Sequence, residues 1–352
     1  MIFVAFAVTA CGGGGGSGGG NGGNQAPVAT AACTFTPADT PLTGRLNATD
    51  PNNDAITFSI AQQGTLGRAE TDVAGNYRYT PNSGVRGRDS FVFRATDSAG
   101  NQATATVSMI VGHTRIMPLG DSITSGVTVG GGCSGTSSDT NCPTEGQRIG
   151  YRKKLYDDLV SAGYNVQMVG SLANGSDAGL ASPNDRHEGR GGFTDGAVRD
   201  GVLGWLNAAS PDVILLHVGT NGINDANGTS AVDTTGSTNS ILERIYSQWV
   251  PANHPVTVLL AKIVGSPTAS PTNNNIIAFN TDITNSVNQN WASQVGAGRL
   301  MLVDMYAALS NRSTAAGGDY ADALHPNQTG YDKMADVWRT SLIASGVLHR
   351  CP

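Results

Sequence analysis

Ser122 sits where the apolar run Ile116-Met-Pro-Leu119 breaks into Gly120-Asp121-Ser122-Ile123-Thr124. A serine on the turn leaving a strand is exposed, and the helical turn that follows can offer a main-chain amide to developing negative charge. That is a place for a nucleophile. Towards the other end of the chain, Asp322-Ala-Leu-His325 puts a carboxylate and an imidazole three residues apart on one tight turn. The carboxylate can fix the imidazole tautomer while the other ring nitrogen points at a serine. Pro326 biases His325 towards extended backbone and away from the helix that follows.

Two blocks lie between them. Gly219-Thr-Asn221-Gly222 follows the apolar run Asp212-Val-Ile-Leu-Leu-His-Val218 and brings an amide side chain to the same sheet edge as Ser122. His187-Glu-Gly-Arg-Gly-Gly192-Phe-Thr194 supplies main-chain amides without side-chain bulk. The amide of Ser122, that of Gly192 or its neighbour Gly191, and the NH2 of Asn221 together would build an oxyanion hole, which acyl transfer needs. Taken singly, each block also fits an ordinary turn or helix cap. Five further histidines read as surface or core, and His217 reads as a satisfied strand residue.

The elements that position these residues are legible from 113 onward. Buried apolar strands at 115–119, 166–170, 212–218, 256–262 and 300–304 alternate with amphipathic stretches near 150–162, 195–207, 236–250, 275–293 and 330–345. This is the pattern of an α/β chain, a three-layer flavodoxin-like parallel sheet over 113–352, with ligands at the carboxyl ends of its strands. Residues 27–112 instead read as about seven short alternating strands, LTGRLNA, AITFSI, GNYRYT, DSFVFRA and ATATVSMIV among them, separated by Pro, Gly, Asn and Asp. A small all-β sandwich is expected there.

Composition narrows the function. With 39% hydrophobic residues the chain folds, and 21 Lys and Arg against 27 Asp and Glu leave a net charge of −6. No basic stripe tracks a phosphate backbone, so nucleic acid is excluded as an expected partner. Residues 1–10, MIFVAFAVTA, read as the apolar half of a secretory signal, and Val8-Thr-Ala-Cys11 resembles a bacterial lipobox in which Cys11 is lipidated. Residues 12–26 form a Gly-rich tether. A secreted or cell-surface bacterial lipoprotein, attached to a membrane by its lipid, is therefore expected. Of the remaining cysteines, Cys133 and Cys142 enclose a short polar loop and are expected to pair, which leaves Cys33 and Cys351 to pair only by elimination.

The blocks GDSIT, HEGRGGFT, GTN and DALH, in that order over 114–346, resemble those of the SGNH (GDSL-type) hydrolase superfamily. IMPLGDSIT, GYRKKLYDDLVSAGYNVQMVGS, DVILLHVGTN and HPNQTGYDKMA are similar to carbohydrate esterase family 3, the acetylxylan esterases. The resemblance implies Ser122 as nucleophile, His325 as general base, Asp322 as its orienting acid, Ser122, Gly192 and Asn221 as oxyanion donors, and Asp121 and Phe193 as substrate contacts. It implies no cofactor and no metal. GTNG stands where GTND is commoner, so the bond made by that acid must come from elsewhere, for instance from Asp225, and Phe193 replaces a frequent Trp. Residues 27–112 resemble cadherin-like or bacterial Ig-like modules, where Asp50, Asp54 and Asp97 occupy positions that some such modules use for calcium. These acids are equally the expected residues of exposed turns.

The expected activity is removal of acetyl groups from polysaccharide through an acyl-enzyme. An esterase acting on lipids or small esters is the alternative within the same chemistry. A non-catalytic surface carbohydrate-binding protein is the alternative outside it, and the intact set Ser122, Asn221, Asp322 and His325 argues against that, since binding alone needs none of them.

Overall fold

The computed structural model describes residues 23–128, 144–223, 240–250, 255–268 and 272–351. Cys11, Cys133, Cys142 and Asp225, with the lipidation, pairing and hydrogen-bond expectations attached to them, lie outside the described residues.

The amino-terminal part is all-β. Ala32–Thr36, Gln102–Val111, Gly87–Thr96 and Thr57–Gln62 form a four-stranded sheet in that order. Leu42–Arg45, Asn76–Pro81 and Gly67–Thr71 form a three-stranded one. Strict inside-outside alternation in Asn76–Pro81 and Gly87–Thr96 turns Tyr77, Tyr79, Phe91 and Phe93 into a shared core with Val107 and Met109. Asp50, Asp54 and Asp97 bring carboxylate oxygens within 4.8 Å of one another. Asp50 and Asp97 close the turns that carry them, accepting from the amides of Asn52 and Asp54 and of Ala99 and Asn101.

Only Gly112 and His113 separate the last strand of the sandwich from Thr114–Gly120, the first strand of the α/β part. The disulfide Cys33–Cys351, a pairing the sequence offered only by elimination, joins the sandwich to the end of the described chain. Asn165 Nδ2 also donates to the Gly112 carbonyl at 2.8 Å.

The parallel sheet runs Val166–Met168, Thr114–Gly120, Val213–His217, Thr257–Ala261, Leu300–Val303, the 2-1-3-4-5 order of flavodoxin-like folds. Its strands are buried on both faces and therefore read as continuous apolar runs. Helices Arg152–Ser161 and Gln328–Ser345 pack on one face through Leu155, Leu159, Tyr331, Met334 and Trp338. Helices Asp195–Ala209 and Thr272–Asn290, with the helical segment Ile241–Glu243 and its π-wound continuation Arg244–Trp249, cover the other.

Two strands escape the periodicity. Arg186–Gly189 lies beside the carboxyl half of Thr114–Gly120, pairing Glu188 and Gly189 with Leu119 and Gly120, and Leu172–Ala173 runs antiparallel on its outer side. The same flank of the first strand is thus used twice, by Val166–Met168 below and by Arg186–Gly189 above. The loop expected around HEGRGG begins as this strand.

Candidate active site

The first strand delivers its chemistry at its carboxyl end. Gly120 is required there because a Cβ would collide with the His217 carbonyl of the neighbouring strand. Asp121 then caps the four-residue turn Ser122–Ser125, its carboxylate accepting from the Ile123 amide at 3.0 Å. Gly126 closes the turn in the left-handed region at φ 87°.

Ser122 Oγ lies 2.9 Å from His325 Nε2, although 203 residues separate them in the chain. His325 Nδ1 lies 3.0 Å from Asp322 Oδ2 and 3.2 Å from Oδ1. The Asp322–His325 turn is held from below. Ala321 N donates to the His325 carbonyl, Asn327 Nδ2 donates to the Gly318 carbonyl, and the Tyr320 hydroxyl donates to the Gly265 carbonyl. Burial alone would raise the pKa of Asp322, but the amides of His325 and Leu324 and the imidazole outweigh it and hold the carboxyl below the usual carboxylate value. It is therefore an anion wherever the imidazole has to be oriented.

Arg186–Gly189 ends in a turn in which Phe193 N donates to the Arg190 carbonyl, and Arg190 N donates to the Gly120 carbonyl at 2.9 Å. The glycine loop is thereby tied to the residue that precedes Asp121. Gly192 takes a left-handed conformation, φ 79°, and is exposed with open space around its Cα, as is Gly191. Asn221 Nδ2 donates one hydrogen to the Phe193 carbonyl at 2.9 Å, which leaves its second N–H for a ligand. Ser122, Gly192 and Asn221 thus come from three segments tied together by the Arg190–Gly120 main-chain bond and the Asn221 side chain.

Other expectations change. Asp121, expected to touch substrate, is fully buried beneath the turn it caps. Burial pushes its pKa up to about 6, opposed by the Ile123 amide, the nearby Thr220 hydroxyl and the field of His325. Phe193 is half-buried, with its ring centroid 6.5 Å from that of Trp205 and the Arg190 guanidinium 5.8 Å above it. Arg190 is in turn held by Glu188 at 2.7 Å and Ser171 at 3.0 Å. His217 is a buried strand residue, as expected, but only half satisfied: Nε2 accepts from Val264 N, Nδ1 has no partner among the described residues, and burial pulls its pKa down to about 4.

Sequence reasoning missed Asp195. A Cβ at Gly222 would lie 3.0 Å from its carboxylate, so this acid of the helix Asp195–Ala209 fills the space of the side chain that position 222 lacks. The signal was present as an acid in the first turn of the helix after HEGRGGFT, but its proximity to Gly222 depends on how that helix docks.

The buried Asp121 makes a prediction. Its folded pKa of about 6 lies above the unfolded value, so stability is full below about pH 4 and is lost as pH rises through 6, by up to about 3 kcal/mol. Asp121→Asn keeps the acceptor for Ile123 and removes that loss. The Tm advantage of the variant over the wild type should therefore widen between pH 4 and pH 8. An advantage that does not change with pH would show that Asp121 is not the titrating group.

A flavodoxin-like sheet carrying a serine, imidazole and carboxylate chain beside a glycine loop and an asparagine is the arrangement that acyl transfer through a serine requires. Residues 116–338 match the family GDSL-like Lipase/Acylhydrolase, and the chain belongs to it; residues 24–110 match the Bacterial Ig domain family. The chain is similar to a multidomain esterase of Ruminococcus flavefaciens, 27% identical over 253 residues that cover 66% of this chain and 29% of that protein. The chain thus spans under a third of that relative's length. Among solved structures, it resembles a Clostridium thermocellum family 3 carbohydrate esterase (26% identity, 66% of this chain and 98% of that one, TM-score 0.48). It also resembles a lipase/acylhydrolase from Enterococcus faecalis (18% identity, 68% and 98%, TM-score 0.42).

Proposed function

We propose that the protein removes acetyl groups from polysaccharide through an acyl-enzyme on Ser122. The observation that carries the mechanism is the continuous chain Ser122 Oγ, His325 Nε2, His325 Nδ1, Asp322 Oδ2, with links of 2.9 and 3.0 Å. In this reading neutral His325 takes the serine proton as the hydroxyl attacks the ester carbonyl. The oxyanion gathers hydrogen bonds from the amides of Ser122 and Gly192 and from the second N–H of Asn221. His325 then returns the proton to the leaving alcohol, and water repeats the sequence to free acetate.

A small acyl group is favoured by the makeup of the loops that carry the oxyanion donors. They offer Gly191, Gly192 and Asn221, and the ring of Phe193 beside them is engaged by Trp205 and Arg190. The likeness of the sequence blocks to acetylxylan esterases supports a carbohydrate ester. Each CH2 buried from water stabilises by about 0.8 kcal/mol, so a long apolar pocket would favour octanoate strongly. Along a p-nitrophenyl acyl series with the full chain, kcat/KM should peak at acetate and fall steeply beyond propionate, and acetylated xylan should be preferred to phospholipid. Octanoate outpacing acetate would replace this substrate with a lipid.

We further propose that the enzyme is held at the cell surface by lipid on Cys11. The sequence supports this reading, since Val8-Thr-Ala-Cys11 resembles a lipobox and the Gly-rich residues 12–26 would serve as a flexible tether. Expressed with its leader in a bacterial host, the protein should fractionate with membranes and Cys11→Ser should be released. Equal partitioning of the two would contradict the anchor.

A further inference from the structure

Arg152 is fully buried, and its guanidinium bonds to five main-chain carbonyls and to no carboxylate among the described residues. Nε donates to Thr124 at 3.2 Å, Nη1 to Asn174 at 3.3 Å and Asp185 at 3.2 Å, and Nη2 to Ser125 at 3.2 Å and Arg148 at 2.6 Å. A guanidinium carries five N–H donors, so the whole fork is used. Burial draws the group down to a pKa of about 10, which leaves it charged at neutral pH. Burying a cation without a counter-ion costs several kcal/mol unless its hydrogen bonds are all made, and an apolar side chain could fill the same volume without that cost.

What those carbonyls belong to explains the arrangement. Thr124 and Ser125 are the last two residues of the turn that begins at Ser122, where carbonyls have no partner within the helix. Asn174 and Asp185 close the excursion between strands Leu172–Ala173 and Arg186–Gly189, and the second of these strands ends on the glycine loop. The two regions meet directly. Asn174 Nδ2 donates to Ser125 Oγ at 3.0 Å, and Gly189 lies so close to the Ser125 amide that a Cβ would collide with it.

Resting on the esterase reading above, we propose that Arg152 is a positioning residue that sets the distance between the Ser122 hydroxyl and the amides of the glycine loop, by seating the nucleophile turn and the loop's strand on one cation. Lysine offers three donors from a single point and cannot span this set, so Arg152→Lys leaves at least two carbonyls without a partner while retaining the charge. The oxyanion donors then shift relative to the serine, and the loss falls on the chemical step rather than on substrate binding.

The test uses the full chain as wild type, Arg152→Lys, Arg152→Met and Ser122→Ala. Circular dichroism and Tm report folding, and exhaustive labelling with a fluorophosphonate counts competent serines. For Arg152→Lys the expected result is a native fold, kcat per titrated serine lowered about 10- to 100-fold, and KM within about threefold, with a larger loss of kcat in Arg152→Met if it folds. Three results would overturn the proposal. One is kcat per titrated serine within about twofold of wild type in Arg152→Lys. Another is a loss confined to the number of titratable serines. The third is failure of Arg152→Lys to fold, which would make the cation a requirement of the core alone. Turnover surviving in Ser122→Ala would instead sink the esterase reading, which none of the Arg152 results can do.

Discussion

Ser122→Ala should lower kcat on p-nitrophenyl acetate by about 10⁴- to 10⁶-fold while far-UV circular dichroism and Tm stay close to wild type. The size follows from what the alanine removes. In the proposed mechanism the hydroxyl oxygen forms the new bond, so only the background rate supported by the oxyanion donors and substrate binding would remain. The stability expectation follows from the site, because the serine's side-chain partner among the described residues is His325 and the turn is held by main-chain bonds and by the Asp121 cap. His325→Ala should lose nearly as much, and the double variant should be hardly worse than either single one, since serine and imidazole act as a unit. Multiplying losses would mean that the two contribute independently and that the hydrogen bond between them is not the reacting one.

Asp322→Asn should cost about 10⁴-fold in kcat. Two main-chain amides, those of Leu324 and His325, point at Asp322 Oδ1 at 2.7 and 2.6 Å. In the asparagine variant they fix the amide oxygen at that position, which puts the NH2 where Oδ2 now faces His325 Nδ1. Nδ1 must then accept, the ring proton moves to Nε2, and Nε2 can no longer take the proton of Ser122. The variant should fold, since both amides keep their acceptor. Raising the pH should not restore activity, because the fault is the tautomer and not the charge. Recovery of more than a tenth of wild-type kcat at any pH would show that Asp322 does not set the orientation of the ring.

Much of this site was readable before any coordinates. Ser122, Asn221, Asp322 and His325 lie at the ends of strongly apolar strands or on turns marked by Gly and Pro, and such local signals survive without tertiary context. The strand Arg186–Gly189 was hidden because its residues are Arg, His, Glu and Gly, and its burial depends on Glu188 meeting Arg190 and the Ser171 amide. Asp121 was expected to touch substrate from the resemblance of the GDSIT block, yet the cap it forms buries its carboxylate. Arg152 stands in Arg-Lys-Lys, which reads as a solvated helix face. Four of its five acceptors are carbonyls from distant segments, and no side-chain pattern announces a carbonyl. Asp195 was concealed for a similar reason, since only the docked helix shows that it occupies the space beside Gly222.

The most direct test of the account is the site of covalent capture. Wild-type protein treated with a fluorophosphonate until p-nitrophenyl acetate hydrolysis stops should carry one phosphonyl group per chain, and peptide mass spectrometry should find it on Ser122. Activity lost without modification of Ser122, or Ser122 fully modified with hydrolysis intact, would contradict the nucleophile and with it the mechanism built on this site.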